Sequence, residues 1–374
     1  MAENPALPDA AYVVALTHLP GMGPRRLDAV LALGAREAWA AVCDGRAGRV
    51  PEVAEAIGGR LADLSARWQA AAASVEVARR WADHEQAGVE VLVPGDPAYP
   101  DVLRDDPERP AVLYRVGEAA DLDGPRVGIV GTRRCTRYGH DVAFEMGRDL
   151  SERGVRVVSG LALGIDAAAH RGALEGTAPP IGVVAHGLDV VYPRRNRELF
   201  ALLRANGVLF SEAPLGVEPE PWRFPARNRI IAGLADAVVV VESHAEGGSL
   251  YTVEAAVERG IPVLAVPGSV RSSASVGTNQ LVADGTEIAR NGDDVLVALG
   301  LHAAASGARR SDHRPEPGPE ARLVLDALGW EPATFEHLAM RTGLGLGPLG
   351  VALTHLEADG WLTQCDGWYE QRSR

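Results

Sequence analysis

Residues 237–242 read Ala237-Val238-Val239-Val240-Val241-Glu242. A β-branched run without polar alternation suits a strand covered on both faces, because neither face then meets water. The same texture continues outward. Downstream, a helix is expected over 250–259 and a second buried strand over 262–266. Upstream, strands are expected over 126–131, 155–159, 181–185 and 208–212, with helices over 138–153, 165–175, 195–205 and 227–234. Strands alternating with helices this regularly make βαβ units and a mainly parallel sheet. The fold class expected is therefore α/β, a doubly wound Rossmann-like sheet whose ligand lies outside the carboxyl ends of the strands.

The flanks differ. Residues 10–90 have helical spacing, interrupted by Leu19-Pro20-Gly21-Met22-Gly23-Pro24. Residues 89–93 and 111–116 read as short strands between Pro- and Asp-rich turns. Residues 302–320 are Ala, Gly, Ser, Arg and Pro without periodicity, the composition of a linker. Helix-like segments follow over 321–328, 334–341 and 349–359, and Asp366-Gly367 carries a hairpin signal between Trp361-Leu362-Thr363 and Trp368-Tyr369-Glu370. Three helices and a hairpin suggest a winged helix. The division expected is a helical domain over 1–88, a Rossmann-like domain over 89–301, a linker over 302–320 and a winged helix over 321–374.

The 374 residues carry 37 basic and 50 acidic side chains, a net charge of −13, and every basic one is arginine. With no lysine there is no Schiff-base lysine and no P-loop lysine, which disfavours a Walker-type ATPase and lysine-dependent cofactor chemistry. Cys43, Cys135 and Cys365 lie far apart, so neither a zinc ribbon nor a disulfide framework is indicated. That pattern fits a reducing compartment, and a cytoplasmic location is expected. No basic flank precedes an apolar run at the start, and no stretch is long and apolar enough for a membrane span.

Four glycine-bearing loops follow strands: Gly131-Thr132-Arg133-Arg134, Ser159-Gly160-Leu161-Ala162-Leu163-Gly164, Gly247-Gly248-Ser249-Leu250 and Pro267-Gly268-Ser269. Each sets free backbone N–H groups near a helix start, which suits phosphate. Gly128-Ile129-Val130-Gly131 lacks the G-x-G-x-x-G spacing, so a nicotinamide dehydrogenase is disfavoured. Residues 125–160 hold seven arginines against four acids, and so do residues 192–230. Phe224 sits among arginines in Arg223-Phe224-Pro225-Ala226-Arg227-Asn228-Arg229. An aromatic ring interleaved with guanidinium groups suits a single nucleic-acid strand; a core phenylalanine with solvated arginines is the competing reading. Asp166 and His170, four apart at a helix start, are candidates for an acid/base or metal pair, against which stands a carboxylate merely favoured by the helix dipole. His186, Glu212, Glu242 and Glu254 lie near strand ends or in a following helix, but no catalytic motif joins them.

Taken in order, the segments Gly131-Thr132-Arg133, Ser159-Gly160-Leu161-Ala162 with Gly164-Ile165-Asp166 and His170-Arg171-Gly172, Tyr192-Pro193 with Asn196, Phe224-Pro225-Ala226-Arg227-Asn228-Arg229-Ile230-Ile231-Ala232-Gly233, Gly248-Ser249-Leu250 with Thr252, and Gly277-Thr278-Asn279 resemble the bacterial DNA-processing protein A (DprA/Smf) family over roughly residues 90–300. The resemblance implies an extended Rossmann fold that binds single-stranded DNA without strong sequence preference. It also implies protection of incoming DNA in natural transformation, delivery to the recombinase RecA, a homodimer, and no catalysis, cofactor or metal. The DNA pocket it implies uses Arg133, Arg134, Ser159, Gly160, Phe224, Arg227, Asn228, Arg229, Gly248 and Ser249. Leu163 stands where the family often has arginine, and Arg223 where histidine is common.

The turn over 19–24 resembles a helix-hairpin-helix, and the tail resembles the winged-helix module that many family members carry. Residues 312–374 hold five arginines against ten acids, net −5, and 345–360 contain no arginine. A protein-contact role is expected for that module rather than DNA reading. The alternative for the whole chain is a nucleotide-processing Rossmann enzyme of the lysine-decarboxylase-like (LOG) type, echoed distantly by Gly247-Gly248-Ser249-Leu250-Tyr251-Thr252-Val253-Glu254.

Overall fold

The computed structural model describes residues 7–58, 61–117, 122–301, 314–329, 331–365 and 367–372. The chain forms two compact units, Met1–Ala303 and Ala304–Arg374.

The first unit is built on a nine-stranded sheet. Its strands are β1 (Glu90–Leu92), β2 (Leu113–Val116), β3 (Arg126–Val130), β4 (Arg156–Ser159), β5 (Ile181–Val184), β6 (Val208–Ser211), β7 (Ala237–Val240), β8 (Val263–Ala265) and β9 (Glu287–Ile288). Their order is β1-β2-β6-β5-β4-β3-β7-β8-β9. From β6 to β9 every pairing is parallel. The two strands expected before the parallel region are present, and they extend the sheet antiparallel beyond β6. The chain winds outward from β3 to β6, then crosses back to β7 and winds the other way. The gap between β3 and β7 is thus the switch point of a doubly wound sheet.

The valine run is the central support. Val238 and Val240 join one hydrophobic core with Ile230, Leu234, Val253 and Ala256. Ala237, Val239 and Val241 join the opposite core with Met146, Leu150, Ala168 and Leu264. Alternate side chains of one strand therefore fill both faces, each valine contributing roughly 1.5–3 kcal/mol of burial. Helices Arg137–Glu152 and Ile165–Ala173 cover one face, and Arg223–Leu234 and Leu250–Glu258 the other.

One helix departs from the sequence reading, which started it at residue 227. It begins at Arg223 and takes Phe224 and Pro225 into its first turn. Proline is tolerated there because the first N–H groups of a helix have no intrahelical acceptor.

The amino-terminal region folds as helices Asp9–Thr17, Pro24–Leu31, Ala35–Cys43, Pro51–Ile57, Leu61–Ala72 and Val77–Ala87. They share a core with the sheet: Val14, Leu16, Leu27 and Trp68 cluster with Tyr114, Val184, Leu203 and Leu209. The Trp68 indole donates to the Pro20 carbonyl at 2.9 Å, and the Thr17 and Tyr114 hydroxyls meet at 2.7 Å.

The second unit has helices Pro319–Leu328, Phe335–Thr342 and Leu346–Ala358. With them is a sheet of β10 (Ala333–Thr334), β11 (Leu362–Cys365) and β12 (Trp368–Gln371), ordered β10-β12-β11 and antiparallel. Leu325, Leu338, Leu353, Leu356 and Trp361 form its core. This is the expected winged helix, with a short third strand that the sequence did not reveal. Residues 302–313 of the expected linker and Asp366 of the hairpin turn lie outside the described residues, while Pro319 and Glu320 already belong to a helix. Among the described residues no helix is long and apolar enough to cross a membrane.

Candidate nucleic-acid interface

At the switch point a cleft of about 700 Å³ opens between the loop after β3, the loop after β7 and the start of helix Arg223–Leu234. Arg133, Arg134, Phe224, Asn228, Gly248 and Ser249 all line it.

Glu242, at the end of the valine run, ties the loop after β3 to the loop after β7. Its backbone carbonyl accepts from the Thr132 N–H at 2.7 Å. Its carboxylate accepts from the Thr136 N–H at 2.8 Å and the Thr136 hydroxyl at 2.6 Å. Glu242 is buried, so this candidate acid serves as an anchor. Gly139 makes room for it, since a Cβ there would lie 2.3 Å from the carboxylate. Across the cleft the Asn228 amide donates to the Gly248 carbonyl at 3.0 Å, and the Ser249 hydroxyl donates to Ser243 Oγ at 3.0 Å.

A narrower recess beside the cleft is lined by Gly160, Leu161, Ala162, His186 and Tyr192 together with Arg133, Phe224 and Arg227. Its floor is the loop after β4. Leu161 there has φ of +55°, a left-handed conformation unusual for a branched side chain. Three groups hold it. Asp166 accepts from the Gly160 and Ala162 N–H groups at 3.1 and 3.3 Å. Asn196 donates to the Leu161 and Ala162 carbonyls at 2.9 and 3.1 Å. Arg227 donates to the Gly160 carbonyl at 2.7 Å and also to the Val183 carbonyl. Ser159 is fully buried, its hydroxyl donating to Ile129 O at 2.6 Å.

The ten residues therefore separate. Arg133 and Arg134 are exposed, and the Arg133 guanidinium stacks on the Phe224 ring at 4.7 Å. Tyr192, named in the resemblance but not in its pocket, stands 5.8 Å from Phe224 in ring centroids. Phe224 is half-buried and belongs to none of the hydrophobic cores of the described residues. Arg227 is 6% exposed, and burial pulls its pKa down to about 10 against the opposing charge of Asp166. Arg229 does not line the cleft; it is bound to Glu212 at 2.6 Å, whose carboxyl burial pushes up. Of the two arginines that the resemblance places in the pocket, Arg227 thus faces backbone carbonyls and Arg229 a carboxylate.

Asp166 and His170 form no pair. His170 is wholly buried, and burial lowers its pKa to about 3, against a backbone contact at Ser159 that opposes the shift. The exposed Arg194, Arg195 and Arg197 follow Tyr192 and make no ion pair among the described residues. The clustering of arginine after Tyr192-Pro193 was their signal in the sequence.

Comparison with known proteins gives a consistent result. Residues 90–300 match the profile of the DNA recombination-mediator protein A family, and residues 308–367 match that of the DprA winged helix domain. Protein Smf of Synechocystis is 34% identical over 325 residues, covering 78% of this chain and 82% of its own. The putative DNA processing protein DprA of Mycobacterium tuberculosis is 40% identical over 270 residues, covering 68% of this chain and 67% of its own. The crystal structure of DNA processing protein A from Streptococcus pneumoniae superposes with a TM-score of 0.65 at 31% identity, covering 78% of this chain and 98% of its own. A structure of the Helicobacter pylori DNA processing protein A, described for its mode of binding single-stranded DNA, superposes with a TM-score of 0.50 at 31% identity, covering 56% of this chain and 95% of its own.

Proposed function

The chain belongs to the DNA recombination-mediator protein A family, and from that premise we propose that it binds single-stranded DNA in the switch-point cleft without turning it over. The observation that carries this reading is the Arg133–Phe224 stack, exposed between glycine loops where phosphate-bearing ligands of doubly wound sheets sit. A half-exposed ring beside Tyr192 offers stacking faces to unpaired bases, and Arg133 and Arg134 offer charge to the backbone. Gly248 adds support. A Cβ there would meet nothing within 4 Å, so the loop leaves room for a ligand to approach its backbone closely. Arg227, Asp166, Asn196 and Asn228 position the loops. In this reading a homodimer in the cytoplasm shields incoming DNA during transformation and passes it to RecA.

Fluorescence anisotropy with a labelled oligonucleotide and its duplex, over a salt series, tests the reading. Preference for the single strand is expected, with Phe224→Ala weakening it at nearly unchanged melting temperature. Equal affinity for strand and duplex overturns it. Release of base or ribose phosphate from a nucleoside monophosphate, abolished by Glu254→Ala, would establish the enzyme alternative in its place.

A further inference from the structure

The first turn of helix Arg223–Leu234 has a second side. There a separate cavity of about 440 Å³ lies between the turn over 19–24 and the carboxyl ends of β5 and β6. Its wall is apolar at Leu19, Met22, Val112 and Ala226, and Trp222 and Arg223 stand where it meets the helix. Trp222 is 60% exposed, and the Arg223 guanidinium lies 4.4 Å from its ring. The first cleft has a similar stack, Arg133 on Phe224 at 4.7 Å, whereas here the Glu220 carboxylate also accepts from the Trp222 indole at 2.6 Å and pairs with Arg223 at 3.3 Å.

Side chains two apart at a helix start point to nearly opposite sides. The two arginine-on-aromatic platforms, at 222 and 224, thus serve one cavity each. Buried Arg227 lines both, and so forms the partition between them. The volume lies within the roughly 300–1,000 Å³ of pockets that take small organic groups. Glu212, also in the wall, is held by Arg229, and a flat base with apolar faces suits the apolar lining.

We propose that this second cavity takes a further base of the same single strand, stacked on Trp222, with the backbone passing over the helix's first turn. The proposal rests on the reading of the first cleft and lengthens its footprint.

The test uses the full chain with thymidine oligonucleotides of about four and about twelve nucleotides. Trp222→Ala should leave the short oligonucleotide unaffected and weaken the long one by roughly five- to a hundred-fold, the worth of one stacked base. Phe224→Ala should weaken both. Met22→Trp, which fills the cavity from the turn over 19–24, should repeat the length-dependent loss. A 2-aminopurine in the long oligonucleotide should be quenched by wild-type protein and released by Trp222→Ala. If Trp222→Ala changes neither affinity nor fluorescence while Phe224→Ala weakens both lengths, the second cavity is excluded and the first cleft stands. Equal weakening of both lengths by Trp222→Ala also overturns a separate subsite. If wild-type protein binds neither oligonucleotide, the underlying reading fails as well.

Discussion

Two arginines of similar appearance in the sequence do different work. Arg134 is exposed at the cleft, and Arg227 is buried under it with two backbone carbonyls as partners. Arg134→Ala should leave the melting temperature unchanged and flatten the slope of log affinity against log salt by roughly 0.7, the share of one phosphate contact on a single strand. Arg227→Ala should cost about 1–3 kcal/mol for each buried carbonyl acceptor that it strands, at Gly160 and Val183. Thermal melts beside salt-dependent binding separate the two; an Arg227→Ala protein as stable as wild type would refute the partition. The sequence could not make this distinction. Arg227 and Arg229 share one motif, and only the helix phase set by the start at Arg223 sends one toward Gly160 and the other toward Glu212. Phe224 was legible as a candidate because few residue types can stack on bases, yet its freedom from the core depended on the packing of Ile230 and Leu234 elsewhere on that helix.

The loop after β4 and the helix behind it act as one element. Asp166 at the start of helix Ile165–Ala173 grips the loop, and His170 one turn later is sealed in neutral form. An unfolded histidine takes a proton near pH 6.5, but the folded one refuses it down to about pH 3. Below pH 6.5 the unfolded chain therefore binds the extra proton, and stability falls as pH drops toward 3; above 6.5 this contribution is complete. Asp166 and Glu212, pushed up by burial, act with the opposite sign in acid. The difference between wild type and His170→Leu isolates the histidine: the variant should lose less melting temperature between pH 7 and pH 4. Parallel pH profiles would contradict this. The sheet was readable because valine runs have few alternatives, and the loop positions because glycine marks them. The left-handed Leu161 was not readable, since leucine carries no local preference for that conformation and owes it to Asp166, Asn196 and Arg227.

At the level of the whole molecule, charge is unevenly apportioned. The net charge is −13, yet the residues supplying the cleft come from segments with arginine in excess, and residues 312–374 are net −5. Deleting 312–374 should leave single-strand affinity within about twofold, because phosphate contacts come from cations that this region lacks on its helix Leu346–Ala358. A drop of tenfold or more in the same anisotropy assay would assign DNA contacts to the winged helix. The fold of each unit was legible in outline. The shared core of the amino-terminal helices and the sheet was not, because Trp68 and Val184 meet only through long-range packing.

The outermost strands of the sheet have a further consequence. β1 has three residues and β9 has two. A second copy adding edge to edge would find only a few open backbone groups at either end, too few to template a continuous ribbon. The molecule is thereby protected against filament growth through its largest sheet. Any lasting pairing of two copies must instead come from side-chain faces whose shapes match, which ties assembly to particular residues rather than to the generic hydrogen bonding that every polypeptide carries.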